Sequence, residues 1–154
     1  MARVSTYLNF NGNADEAFTF YKSVFGTDFN GPVMRMGDTP PGPDAPPLSD
    51  AEKTYIMHAE LPILGGHVLM ATDMLESMGH QLQIGNNTTL NLEPDTREET
   101  ERLYAALSQG GTDCEPLQDM FWGALCGTCL DRFGIRWMFN CQSTPPIETE
   151  RAAT

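Results

Sequence analysis

Between residues 14 and 25 the apolar side chains fall at Ala14, Ala17, Phe18, Tyr21, Val24 and Phe25. That spacing of three and four lines one side of a helix. Asn13 stands three residues before Glu16, the interval of a capping box, and Gly26 supplies a stop. The same grammar returns later: Asp95 reads as the cap, Glu98 as the third helical residue, and Leu103, Ala106 and Leu107 as the apolar side, with Gly110 and Gly111 closing the helix. Short runs rich in β-branched and aromatic residues predict strands over residues 3–10, 28–36, 54–61, 67–72, 88–93, 112–117, 123–130 and 135–141. In order, the chain reads β-α-β-β-β, and then β-α-β-β-β again.

The repetition extends to residues. "TYLNFNGNADEAFTFYKSVFG" runs parallel to "TTLNLEPDTREETERLYAALS", and "AELPILGGHVLM" to "TCLDRFGIRWMF". An internal duplication accounts for both pairs. Residues 37–50, "GDTPPGPDAPPLSD", hold five of the eleven prolines and predict a long loop or lid between two strands. The proline-marked segment 142–154 reads as a C-terminal tail outside the core.

The pattern also decides the fate of Cys126-Gly-Thr-Cys129. A C-x-x-C pair suggests half a zinc site or a redox dithiol. Here it lies within a strand that leads through Asp131–Gly134 into the last strand, and Gly134 is expected to need a positive φ. Side chains alternate along a strand, so these two cysteines should point to opposite faces and stay reduced and metal-free.

Composition narrows the classes. The chain has 154 residues, of which 40% are apolar and 19% charged, as a globular chain should. A single domain 1–154, with modules about 3–73 and 86–141, is the expected organisation. Nine basic against twenty-one acidic residues give a net charge of −12. Such a surface repels phosphates and anionic membranes, which argues against nucleic acid and membrane partners. No apolar run approaches the roughly 20 residues of a membrane span. "MARVSTYLNF" enters a strand pattern at once, without a signal-peptide core, so a cytoplasmic protein is expected. Cys114 and Cys141, like Cys126 and Cys129, then read as thiols. The three histidines, His58, His67 and His80, form no zinc-type pair, and His67 and His80 border turns.

The duplication, together with "YLNFNGNADEAFTFYKSVFG", "MHAELPILGGHVLMATD" and "FWGALCGTCLDRFGIRWMFN", resembles the vicinal oxygen chelate superfamily. Its PhnB-like branch, near the glyoxalase and bleomycin-resistance proteins, is the nearest likeness. The resemblance spans about residues 3–141, with Arg132 where the family's D-P-F-G turn has proline. It implies an α+β fold of two tandem βαβββ modules forming a curved mixed sheet, paired in a homodimer, with a small-molecule ligand in the cup. In the superfamily's metalloenzymes four strand positions hold a divalent ion. Carried over, those positions fall near Ser5 or Thr6, Met70, Asn87 or Thr88, and Met138. None of these suits a hard divalent ion, so neither metal nor cofactor is expected there. The branch also carries a 3-demethylubiquinone methyltransferase label. The sequence offers no glycine-rich strand-to-helix turn for a nucleoside cofactor.

Candidate residues follow. His58 and Glu60 lie two apart and share a strand face with Ile56, while Tyr55, Met57, Ala59 and Leu61 take the other. Such a pair could supply a general base or a metal ligand pair, or be a polar pair on a half-wet face. Met70 and Met138 would make an apolar, adaptable floor for an organic ligand. Asp73 could orient a ligand or cap the turn after it, and Trp122 could stack on a flat ligand, anchor a dimer contact or pack in the core. Arg136 alternates with Ile135, Trp137 and Phe139, and could meet an anionic ligand or form an ion pair. The function so expected is small-ligand binding in the cup. The alternative is a metal-dependent lyase, isomerase or dioxygenase with a displaced site around His58 and Glu60.

Overall fold

Twelve-residue helices with one apolar side need a sheet to cover, and each of the two large helices has one. A computed structural model describes residues 1–40 and 42–142, and the segment 143–154 of the expected tail lies outside them. The chain divides into two compact units at Gln83–Ile84. The first holds β1 (Thr6–Phe10), α1 (Ala14–Phe25), β2 (Met34–Arg35), α2 (Asp50–Thr54), β3 (Ile56–Pro62) and β4 (Val68–Asp73). The second holds β5 (Leu90–Leu92), α3 (Arg97–Ser108), β6 (Thr112–Asp119), β7 (Ala124–Leu130) and β8 (Arg136–Gln142).

The two units share one topology. Their four-stranded mixed sheets run β1-β4-β3-β2 and β5-β8-β7-β6, with the outer strand of each, β1 or β5, parallel to its neighbour and the rest antiparallel. The fold is therefore α+β, two βαβββ modules in tandem, as the pattern predicts.

In the first unit Ala14, Ala17, Phe18, Tyr21 and Val24 of α1 are buried, as are Leu8, Phe10, Ala59, Leu61, Leu69 and Ala71 of the sheet. Phe10 meets Phe18 edge-on with ring centroids 5.9 Å apart. Gly26 takes φ 64°, and its N–H donates to Lys22 O, ending α1. In the second unit Leu103 and Leu107 of α3 are buried with Trp137 and Phe139 of β8.

Both helix starts differ in detail from the expected caps. Asn13 flanks α1, but its side chain makes no cap bond. The Asp73 carboxylate does that work instead, accepting from Gly12 N and Ala14 N with one oxygen, 2.9 and 3.0 Å, and from Ile56 N with the other, 2.8 Å. In α3 the cap is Thr96, whose side chain accepts from Glu99 N, rather than Asp95.

The expected strand 28–36 shrinks to Met34–Arg35. Gly31 at φ 75° and Pro32, which has no N–H, break any ladder there. Isolated bonds, Asn30 N to Glu60 O in β3 and Met36 N to Tyr55 O just before it, tie the segment down instead. The proline-rich loop ends in α2, which the sequence signals at Ser49 and Glu52 through reciprocal capping-box bonds of 3.1 and 3.0 Å.

All four cysteines are free. Cys126 is half-buried on the helix-free face of the second sheet, and Cys129 is fully buried on the other. Gly134, at φ 87°, closes the turn between β7 and β8.

Candidate functional site

With α1 on one side, alternation leaves the opposite face of the first sheet open. Tyr7 and Asn9 of β1, Met70 and Thr72 of β4, and His58 and Glu60 of β3 share it, and register sets Tyr7, Met70 and Glu60 side by side. Ile56 leaves this set. It is fully buried, because β2 and β3 are out of step between Met34 and Arg35 and the alternation of β3 breaks there.

His58 stands at the centre of a short polar chain. Its Nε2 lies 3.3 Å from Glu60 Oε1, its Nδ1 3.3 Å from the Tyr7 hydroxyl, and Arg3 reaches the same Glu60 oxygen at 3.6 Å. A carboxylate can only accept, so Nε2 carries the proton toward Glu60 and Nδ1 accepts from the Tyr7 O–H. The His58 and Glu60 side chains are 27% and 24% exposed, reachable yet partly shielded from water. Below them Ser5 Oγ points at Met70 Sδ from 3.8 Å, and Thr6 Oγ1 sits 2.8 Å from His67 Nε2. A phenol, an imidazole and a carboxylate in series can orient a polar group, or pass a proton along the chain. Tyr7 and Arg3 were not among the candidates drawn from sequence. Tyr7 was legible through its alternation with Leu8 and Asn9, whereas Arg3 precedes the strand and carries no pattern.

The remaining candidates are placed elsewhere. Asp73 is buried beneath the sheet, with both carboxylate oxygens holding backbone N–H groups, so it caps the helix that precedes it and not the turn that follows. In the second unit Met138 lies between Asn91 and Thr128 on the helix-free face, with Arg136 two residues along the same strand. Arg136 Nη1 donates to Asp113 Oδ2 at 2.8 Å, and its buried Nε has no partner among the described residues. Trp122 stands 52% exposed in the turn between β6 and β7, edge-on to the still more exposed Phe121 at 4.7 Å.

The donors at the superfamily's metal positions do not fit a hard divalent ion. In the first unit they are Ser5 or Thr6 and the Met70 thioether, and in the second Asn87 or Thr88 and Met138. Among the described residues no group of three or more His, Cys, Asp or Glu side chains is arranged to hold a metal. Nor is any described helix long and apolar enough to cross a membrane.

A duplicated βαβββ unit with each helix on one face of a mixed sheet is the fold of the glyoxalase and bleomycin-resistance proteins, the vicinal oxygen chelate superfamily. Solved structures agree: a glyoxylase/bleomycin resistance protein/dioxygenase domain from Frankia superposes with a TM-score of 0.61 at 12% identity, covering 92% of this chain and 91% of its own. The chain belongs to the family whose model is described as 3-demethylubiquinone-9 3-methyltransferase, matched over residues 2–139. Protein PA1353 from Pseudomonas aeruginosa is 34% identical, with a TM-score of 0.76 over 94% of this chain and 100% of that one. Protein YjdN of Escherichia coli is 26% identical over 94% of this chain and 99% of its own length.

Proposed function

We propose that this protein binds a small organic ligand on the helix-free face of the first sheet. His58 and Glu60 contact the ligand's polar group and Met70 its apolar part. The observation that carries this is the Tyr7–His58–Glu60 chain, half-shielded and bordered by a thioether floor. In the second unit, Met138 offers the same kind of floor, beside the Arg136 guanidinium that pairs with Asp113. Trp122 serves a ligand or a second copy of the chain, and a cytoplasmic homodimer is the expected state.

Methyl transfer, the activity in the family's description, draws no support from this site. A nucleoside cofactor is usually held where a parallel strand runs through a glycine-rich turn into a helix. Here "NGNADE" leads from β1 to α1, and Asp73 occupies the N–H groups of Gly12 and Ala14.

The test is a ligand screen by saturation-transfer NMR on the purified chain, repeated with His58→Ala and Glu60→Ala. Both variants should keep the melting temperature within about 3 °C, as half-exposed positions do, while losing the bound compounds. Unchanged binding in both would overturn the assignment. A stoichiometric Zn, Ni, Mn or Fe in the purified protein would favour a metal-dependent lyase, isomerase or dioxygenase instead.

A further inference from the structure

At the end of β4 the first unit opens a pocket of about 290 Å³, lined chiefly by Met36, Met74, Leu75, Met78, Asn9 and His80. This lies at the low end of the roughly 300–1,000 Å³ of small-molecule sites, so it suits a compact, single-ring ligand. Three thioethers and a leucine make its lining apolar and adaptable.

The wall is held in place before any ligand arrives. Met74 N donates to Phe10 O at 2.7 Å and His80 N to Leu75 O at 3.2 Å. The Glu76 carboxylate accepts from Asn11 Nδ2, and the Ser77 hydroxyl donates to Glu52 on α2.

Two features define what the pocket would accept. Leu75 N donates to His80 Nδ1 at 3.3 Å, so the neutral ring carries its proton on Nε2, which has no partner among the described residues. That same bond removes the imidazole as a ligand for a soft metal, which three thioethers would otherwise invite. Charge supplies the second feature. Both oxygens of Asp73, itself a lining residue, are engaged by backbone, Glu76 follows Leu75 in the chain, and the chain carries −12. An anion is disfavoured there.

We infer that this pocket takes an uncharged, mostly apolar ring bearing one carbonyl oxygen, with Met36, Met74 and Met78 against the ring and His80 donating to the oxygen. The inference goes beyond the open-face assignment, which it adjoins, since Asn9 and Thr72 border both the face and the pocket.

The experiment titrates the full chain, with ¹³C-labelled methionine methyls, against acetophenone, ethylbenzene and benzoate. The methyls of Met36, Met74 and Met78 should shift saturably with acetophenone, roughly tenfold more weakly with ethylbenzene, and not with benzoate, because only the ketone offers a neutral acceptor. His80→Phe should bring acetophenone down to the affinity of ethylbenzene. Met78→Asp, at an exposed rim position, should abolish both while leaving the other methyl signals in place. Shifts confined to Met70 would overturn the pocket and keep the open-face assignment. Pocket shifts in a chain whose His58→Ala and Glu60→Ala variants bind every screened compound normally would sink the open face and leave the pocket standing. Equal binding of benzoate, or no saturable shift at the three methyls, would overturn the inference.

Discussion

Asp73 shows how one side chain can carry what a sequence motif promises to another. The interval from Asn13 to Glu16 suggests a self-capped helix, yet the cap is borrowed from the end of β4, fifty-nine residues away from the Ala14 N–H it holds. One carboxylate thereby fixes β4, the start of α1 and the start of β3 together. Replacing it by alanine strands three backbone N–H groups, and Asp73→Ala should lose about 3–5 kcal/mol in urea unfolding. Asn13→Ala, by contrast, should stay within about 0.5 kcal/mol of the parent. A reversal of that order would refute the capping assignment. The thiols separate just as sharply. Burial, with smaller contributions from Cys114 and Asp131, pushes the Cys129 thiol up to about 12, and burial also raises Cys126. Since only thiolate reacts, an aromatic disulfide reagent at pH 8 should label exposed Cys114 quickly and Cys129 only after unfolding. The sign for stability follows. A raised native value means that the unfolded chain releases this proton first, so the contribution is intact below about 9 and fades as pH climbs toward 12. Fast labelling of native Cys129 would contradict its placement.

At the scale of elements, legibility tracked whether local pattern alone decides the outcome. Both long helices were legible because one apolar side and one glycine stop suffice, and β7 and β8 because their alternation is clean. β2 was overcalled because Gly31 and Pro32 outweigh its apolar residues, and α2 was missed because a five-residue helix has no periodicity, only its cap. Of the candidate site, His58 and Glu60 were readable from strand parity, and Met70 through the family resemblance. The Met36–Met74–Met78 grouping was not, because it joins the segment after β2 to the segment after β4 and no regular period links the two. Gly127 gives the C-G-T-C run its structural meaning. A Cβ there would come within 2.9 Å of Leu117 Cδ2 and 3.0 Å of Glu115 O, on the strand whose register slips opposite it. Gly127→Val should therefore cost about 2–4 kcal/mol and strip hydrogen-exchange protection first from β6. Uniform loss of protection, or none, would show that the close approach of β6 and β7 does not depend on this glycine.

For the whole molecule, a few large apolar side chains stand exposed in a negative field. Each sheet is covered by a helix on one face only, and Tyr7, Met34, Phe121 and Trp122 stand exposed. Water disfavours such exposure, so a two-fold dimer burying at least about 1,000 Å² in total is expected. Like charge opposes that contact, since each copy brings −12. Added salt screens the repulsion without weakening apolar burial, so the dissociation constant should fall as ionic strength rises from about 10 to 150 mM. Sedimentation across that range should show tighter dimers at higher salt. The double substitution Phe121→Asp and Trp122→Asp should shift the chain to monomer, keeping its far-ultraviolet circular dichroism and lowering the melting temperature only by the lost association. Monomer at micromolar concentration in the parent chain would refute the dimer outright. A dimer that survives the double substitution would place the contact away from the β6–β7 turn, and a dimer that loosens with salt would show that ion pairs, not apolar surface, hold it together.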